Sequence, residues 1–284
     1  MLIDAHQHFW RLTDRAGYWP PPELAAIYRD FSPADLVPSL RRSGIDGTVL
    51  VQSLPNVADT EYMLALAEEN LFILGVVGWV DFESPDVPAC IARLARNPLL
   101  KGLRPMLQDL PDNRWIERST LDRAVKAMLD HRLRFDALVL PRHLEPLLTF
   151  AQKYPELPIV IDHAAKPAIA EGIGDPWFSD MRRLAALPHV HCKLSGLLTE
   201  AGDTRDAETL SPYVRALIEL FGPERLLWGS DWPVLRLAGD YPGWLAMSRG
   251  FLAHLPVDQQ AAVFGHNAIR FYDLDTGRVA KERR

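Results

Sequence analysis

Ile3-Asp4-Ala5-His6-Gln7-His8-Phe9-Trp10 sets two histidines two positions apart. If residues 2–8 are extended, side chains i and i+2 share a face, so His6 and His8 project together. A strand ending in two imidazoles can present them to a metal through neutral ring nitrogens, or to a polarised substrate as donors and acid/base groups. A polar strand end is the plain alternative. What the rest of the chain brings to the same place decides between them.

Outward from this stretch, residues 11–30 are polar and contain Tyr18-Trp19-Pro20-Pro21-Pro22. They are too long and too proline-rich for a simple connection and are expected to overlie the mouth of a site. Ser32-Pro33 gives an N-cap and a first-turn proline, Gly44 a stop, and the spacing predicts a helix over 33–43. Gly47 to Gln52 then reads as a buried parallel strand with a polar tip. A helix is expected over 59–70, a strand over 74–81 and a helix from Ser84-Pro85 to Asn97.

The alternation continues along the chain. Strands are expected at 101–104, 133–139, 158–163, 191–195 and 225–231. The helices between them are expected at 121–131, 143–153, 177–186 and from Ser211-Pro212 to Phe221, with more helix from Tyr241 onward. About eight strands, each followed by a helix, predict an α/β fold of the (β/α)₈ TIM barrel type. An open doubly wound sheet would carry a glycine-rich turn after its first strand. Here that strand ends in histidines. A single domain over 1–284 is expected, with a polar tail from about 274 that includes Lys281-Glu282-Arg283-Arg284.

Composition narrows the function. Hydrophobic residues make up 48% and charged residues 24% of 284 residues, the profile of a globular protein with a large core. A formal net charge of -6 offers no basic field for nucleic acid. Cys90 and Cys192 lie in no metal-ligand spacing and read as buried thiols in a reducing compartment. No stretch approaches ~20 uninterrupted apolar residues, so a cytoplasmic protein away from membranes is expected.

In such a barrel the working residues come from the C-terminal ends of the strands. Those ends carry His6 and His8, Gln52, Trp79 and Asp81, Arg104, His163, Lys193 and Ser195, and Asp231. One mouth would gather imidazoles, a guanidinium, an ammonium and carboxylates. His6-x-His8, Ile161-Asp162-His163 and Trp228-Gly229-Ser230-Asp231-Trp232-Pro233 resemble the amidohydrolase superfamily, in particular its sugar-lactone hydrolase branch. Phe135-Asp136, Asp162 to Pro167 and Cys192 to Gly196 are similar to that branch as well. The resemblance runs from Leu2 to about Asp273.

The resemblance implies a distorted, amidohydrolase-like barrel, a hydrolytic reaction and, in most members, one or two divalent metals. The usual ligands are the two histidines of the first strand, histidines ending the fifth and sixth, and an aspartate ending the eighth. Residues 133–139 contain no histidine, and His143 is read as the start of a helix. Metal-independent members exist in the lactonase branch. Hydrolysis without a required cofactor is therefore expected here, the alternative being a divalent metal such as zinc on His6, His8, His163 and Asp231.

Lactone hydrolysis needs a base for water and a donor where the carbonyl oxygen gains charge. Asp231 is expected to be the base, His6, His8 and His163 to polarise the carbonyl or orient Asp231, and Arg104 to hold the carbonyl. Lys193, Gln52, Trp79 and Trp232 are expected to bind the substrate, a small sugar lactone such as L-fuconolactone or a similar deoxy sugar lactone. A metal-dependent amide hydrolase or decarboxylase on the same barrel is the competing reading. A barrel that binds sugar without turning it over is a third.

Overall fold

The computed structural model describes residues 1–172 and 175–282. Eight strands form one parallel sheet in sequential order: β1 Ile3–Gln7, β2 Gly47–Val51, β3 Ile73–Gly78, β4 Leu100–Leu103, β5 Arg134–Ala137, β6 Ile159–Ile161, β7 Val190–Leu194 and β8 Leu226–Trp228. Nearly every strand residue is buried, as expected when helices cover one face and the barrel interior the other. The seam between β8 and β1 is drawn together beyond the end of β8. Asp231 N–H donates to His6 O at 2.8 Å, and His8 N–H to Trp232 O at 2.7 Å. The result is the (β/α)₈ barrel that the alternation predicts.

Local chemistry sets the first helix. Helix α1, Pro33–Ser43, starts at a capping box in which the Asp35 carboxylate accepts from Ser32 N–H at 2.9 Å, and ends at Gly44 with φ 68°. Helix α2, Val57–Glu69, begins two residues before the expected start because the Asn56 side chain accepts from Asp59 N–H at 2.7 Å. Helices α3 Val87–Leu94, α4 Asp122–Asp130, α5 Leu144–Lys153 and α6 Asp175–Ala185 follow their strands. The next long helix spans Ala207–Phe221, and its cap is Asp206, accepting from Thr209 N–H at 2.8 Å. Ser211-Pro212 therefore lies inside the helix, one turn past its real start.

Beneath the sheet, Ile3, Ala5, Val49, Val51, Val160 and Leu227 pack against Phe271 and Tyr272 of the helix Asn267–Tyr272. That helix closes one end of the barrel and sends Tyr272 into its interior. The expected tail from 274 contains a helix, Gly277–Glu282, with Val279 buried; positions 283 and 284 lie outside the described residues. Cys90 and Cys192 are both free thiols. Among the described residues no helix is long and apolar enough to cross a membrane.

Candidate active site

His6 and His8 leave β1 with their Nε2 atoms 3.2 Å apart and their rings edge to face. His8 Nδ1 lies 2.7 Å from Val51 O. A carbonyl only accepts, so Nδ1 carries the proton and the neutral ring turns a bare Nε2 toward Asp231 Oδ1, 3.2 Å away. The same Oδ1 lies 3.7 Å from His6 Nε2 and 3.8 Å from His163 Nε2. His163 is held from behind by Ser195 Oγ, 2.9 Å from its Nδ1.

The backbone is strained where it delivers two of these groups. His163 to Lys166 all have positive φ, from 48° to 60°, and Asp231 has φ 58°. Such conformations cost non-glycine residues energy and persist where surrounding packing over-determines them. They also end β6 and β8 earlier than expected, so His163 and Asp231 sit in turns just past the strands. Two glycines make room: a Cβ on Gly229 would lie 2.7 Å from His6 Cβ, and one on Gly196 2.6 Å from the His163 ring.

Burial decides the protonation states. It pushes His6 well below the ordinary imidazole value, with Lys193 adding to the effect, lowers His8, and takes His163 down to about 4. Burial alone would raise Asp231, but the facing His163, His8 and His6 outweigh it and hold the carboxyl below the usual carboxylate range. At neutral pH three uncharged imidazoles surround one carboxylate.

This is also the protonation pattern of a divalent-metal site. Ligand atoms roughly 2.0–2.1 Å from a shared tetrahedral zinc stand about 3.3 Å from each other. The separations of 3.2, 3.2, 3.7 and 3.8 Å around Asp231 Oδ1 and the two first-strand Nε2 atoms bracket that value. His6, His163 and Asp231 keep one ligand atom each within 4.8 Å of one another. The residues fit such an ion, and the expectation that no metal is required gains no support from them. His143, in the turn before α5, uses Nδ1 to accept from Leu140 N–H at 3.1 Å and caps that turn away from the cluster.

A second layer lies under the histidines. Lys193 is completely buried, with Nζ 2.6 Å from Asp136 Oδ2, 2.9 Å from Asp162 Oδ1 and 3.1 Å from His6 Nδ1. Arg104 Nη1 donates to Asp162 Oδ2 at 3.0 Å, and its Nη2 to Gln52 O. Tyr272 donates to Asp136 Oδ2 at 2.6 Å. Two cations thus face two carboxylates in a floor without net charge, which limits the desolvation cost of burying them. Burial raises Asp136 to about 6 against the pull of Lys193, while Lys193 and His6 overcome the same burial effect at Asp162 and hold it well below its ordinary value.

Above the cluster is a cavity of about 310 Å³. His8, His163, Asp231 and Arg104 form its floor; Tyr18 and Trp19 of the segment after β1, with Asp109 and Lys166, form its sides. The segment 11–30 therefore does overlie the mouth. Trp10 and Phe31 pair at its two ends, and Arg15 ties its middle to Ser53.

The four residues expected to touch substrate do not line this cavity. Lys193 is sealed in the floor. Gln52 is buried and donates to Arg104 O at 2.8 Å. Trp232 packs edge to face against Phe9 and Phe31. Trp79 is half-buried, its backbone fixed on both sides by Thr60 Oγ1. His6 also lies behind the wall rather than in it. In exchange, Tyr18, Asp109 and Lys166 border the cavity, and Asp4 clamps β1 to the turn after β8: its carboxylate accepts from Ser230 N–H, Ser230 Oγ and Tyr241 OH at 2.8, 2.6 and 2.8 Å. Asp4 and Lys166 stand inside the two quoted motifs; Tyr18 was signalled only as part of its loop, and Asp109 by nothing.

Comparison with known proteins agrees with this architecture. The amidohydrolase family model matches residues 3–274. An L-fucono-1,5-lactonase from Burkholderia ambifaria is 57% identical over 277 residues, covering 96% of both chains. Two crystal structures of an amidohydrolase from Burkholderia multivorans, one with bound HEPES and one with bound zinc, superpose with TM-scores of 0.91 and 0.92. Each is 33% identical and covers 97% of this chain and 100% of the other. In sequence and in fold, the chain belongs to the amidohydrolase family.

Proposed function

We propose that the chain hydrolyses a sugar lactone, with L-fucono-1,5-lactone as the first substrate to test, and releases the open aldonic acid. The observation that carries this reading is the placement of an ionised Asp231 beside His8, His163 and Arg104 on the floor of one small cavity. A volume of about 310 Å³ lies at the lower end of ligand pockets, roughly 300–1,000 Å³, and suits a single sugar ring. The likeness to the Burkholderia ambifaria lactonase supports the choice of substrate.

In the reaction, water adds to the lactone carbonyl carbon, the ring C–O bond breaks, and the ring oxygen leaves as a hydroxyl. Every imidazole contact of Asp231 is made through Oδ1. Oδ2 is left to orient the attacking water and accept its proton. With its pKa held low, Asp231 is ionised but intrinsically weak as a base, so proton transfer accompanies bond formation rather than preceding it. Arg104 places fixed positive charge under the carbonyl, its orientation set by Asp162 and Gln52. Tyr18 and Trp19 cover the ring and exclude bulk water. A divalent ion held by His6, His8, His163 and Asp231 would supply Lewis acidity toward the carbonyl or a bound water.

Asp231→Asn is expected to lower kcat on L-fucono-1,5-lactone, read as proton release, by about a thousandfold while the fold is retained. Turnover near that of the parent would refute the assignment. Assays before and after chelation, with zinc restored, measure what the ion contributes.

A further inference from the structure

We propose that Asp109 is a specificity-determining residue: its carboxylate accepts a hydrogen bond from a ring hydroxyl of the lactone, so the site selects hydroxylated rings over bare rings of the same size. The proposal rests on the lactonase reading above and deepens it. Asp109 ends the 3-10 turn Leu107–Asp109, which follows β4, and borders the cavity whose floor holds Asp231 and Arg104. Among the described residues, Asp109 and Asp231 are the only carboxylates lining that cavity. They face different things. Asp231 is buried with Oδ1 against three imidazoles, whereas Asp109 is exposed at the mouth and meets the tyrosine of the overlying segment.

The Tyr18 hydroxyl donates to Asp109 Oδ2 at 2.9 Å and so orients the carboxylate. Burial, and then the Asp109 charge itself, push the Tyr18 phenol up to about 12, which keeps the donated proton on the tyrosine. Among the described residues no other group donates to this carboxylate, so Oδ1 keeps its full capacity to accept. An ionised carboxylate only accepts, and a wall of that kind calls for an O–H on the ligand. The carbonyl and ring oxygens of a lactone carry lone pairs alone and cannot answer it; a ring hydroxyl can. Lys166, on the side of the same cavity, only donates and cannot replace Asp109 in this contact.

The same logic orients the ring. The carbonyl is drawn to the donor-only Arg104 on the floor, and the hydroxylated edge to the acceptor-only Asp109 at the side, both within one cavity of about 310 Å³. A bare ring in that cavity strips water from Asp109 and returns no hydrogen bond. A site that pairs a substrate hydroxyl rejects the analogue lacking it for this reason, and a charged acceptor strengthens the effect. Because Asp109 is exposed and keeps part of its hydration, the hydroxyl contributes about 10- to 100-fold in kcat/KM.

The test is Asp109→Ala, an exposed position whose truncation leaves the core intact. Two ligands are compared in parent and variant: L-fucono-1,5-lactone, read as kcat/KM by proton release, and δ-valerolactone, the same ring without hydroxyls, read as its Ki in competition with the first. In the variant, kcat/KM for the hydroxylated lactone is expected to fall about 10- to 100-fold, while the Ki of δ-valerolactone is unchanged or smaller. If both ligands weaken by the same factor, Asp109 serves only to hold Tyr18 and its loop, and the proposal is overturned. Undiminished kcat/KM for L-fucono-1,5-lactone overturns it as well. Either result leaves the lactonase reading standing, whereas a parent inert toward sugar lactones refutes that reading and this proposal with it.

Discussion

Removing the Asp4 carboxylate is expected to loosen the seam of the barrel and the site together. Asp4 is completely buried and accepts four hydrogen bonds, from Ser230 N–H, Ser230 Oγ, Tyr241 OH and His6 N–H, the last at 3.1 Å. In Asp4→Ala, Ser230 Oγ can turn to His6 O at 3.4 Å, whereas the two backbone N–H groups and the Tyr241 hydroxyl lose their acceptor. At about 1–3 kcal/mol for each buried unsatisfied group, the loss is roughly 3–9 kcal/mol. Burial pushes the Asp4 carboxyl up to about 6, so desolvation offsets part of what those bonds contribute. The expected loss is therefore at the low end, about 3–5 kcal/mol, and roughly half that for Asp4→Asn, which keeps the shape and one acceptor oxygen. Urea unfolding followed by tryptophan fluorescence measures it. Because Asp4 does not line the cavity, kcat should fall in the folded variants with KM little changed. Unfolding of the alanine variant at the parent's urea midpoint would refute the reasoning.

Two further perturbations probe separate parts of the molecule. Tyr18 donates to Asp109 at 2.9 Å across the mouth, and losing that bond in Tyr18→Phe should raise KM for the lactone about 2- to 10-fold without moving the unfolding midpoint; an unchanged KM would show that the contact plays no part in binding. His191, packed against Phe271 at 4.7 Å, is driven down to about 4 by burial, from about 6.5 in an unfolded chain. The unfolded chain takes up the proton first, so this contribution to stability is complete above about pH 6.5 and is lost as pH falls toward 4, at up to ~1.4 kcal/mol per pH unit. His191→Phe should flatten the dependence of the urea midpoint over that range, and an unaltered slope would contradict the assignment.

The sequence spoke clearly where a few adjacent residues settle the outcome. Ser32-Pro33 and Gly44 start and stop a helix by local hydrogen bonding and backbone geometry, and α1 falls where they put it. Ser211-Pro212 offers the same kind of signal, yet Asp206 one turn earlier captures the cap, because Leu210 is then buried with the rest of the apolar face. His6, His8, His163 and Asp231 converge because a barrel gathers its strand ends at one mouth. Whether a side chain at such an end reaches the cavity or remains below it depends on tilt and on the bulk of neighbours across the barrel. Lys193 and Gln52 remain below, and Trp79 and Trp232 pack outside the cavity. The floor partners Asp136 and Tyr272 meet across 136 positions, a pairing that no local pattern marks.

The seam clamp has a consequence for how the protein is made. Asp4 and Ser230 are 226 positions apart, so β1 is synthesised long before the residues that close its free edge. Until then that edge offers unpaired backbone groups to any passing strand, and His6 and His8 lack Asp231 opposite them. Long-range contacts of this kind form late, since the entropy of closing so large a loop must be overcome before they stabilise anything. Barrel closure and assembly of the histidine–aspartate cluster are thus one event, and every partly folded form with an open seam is also an inactive one.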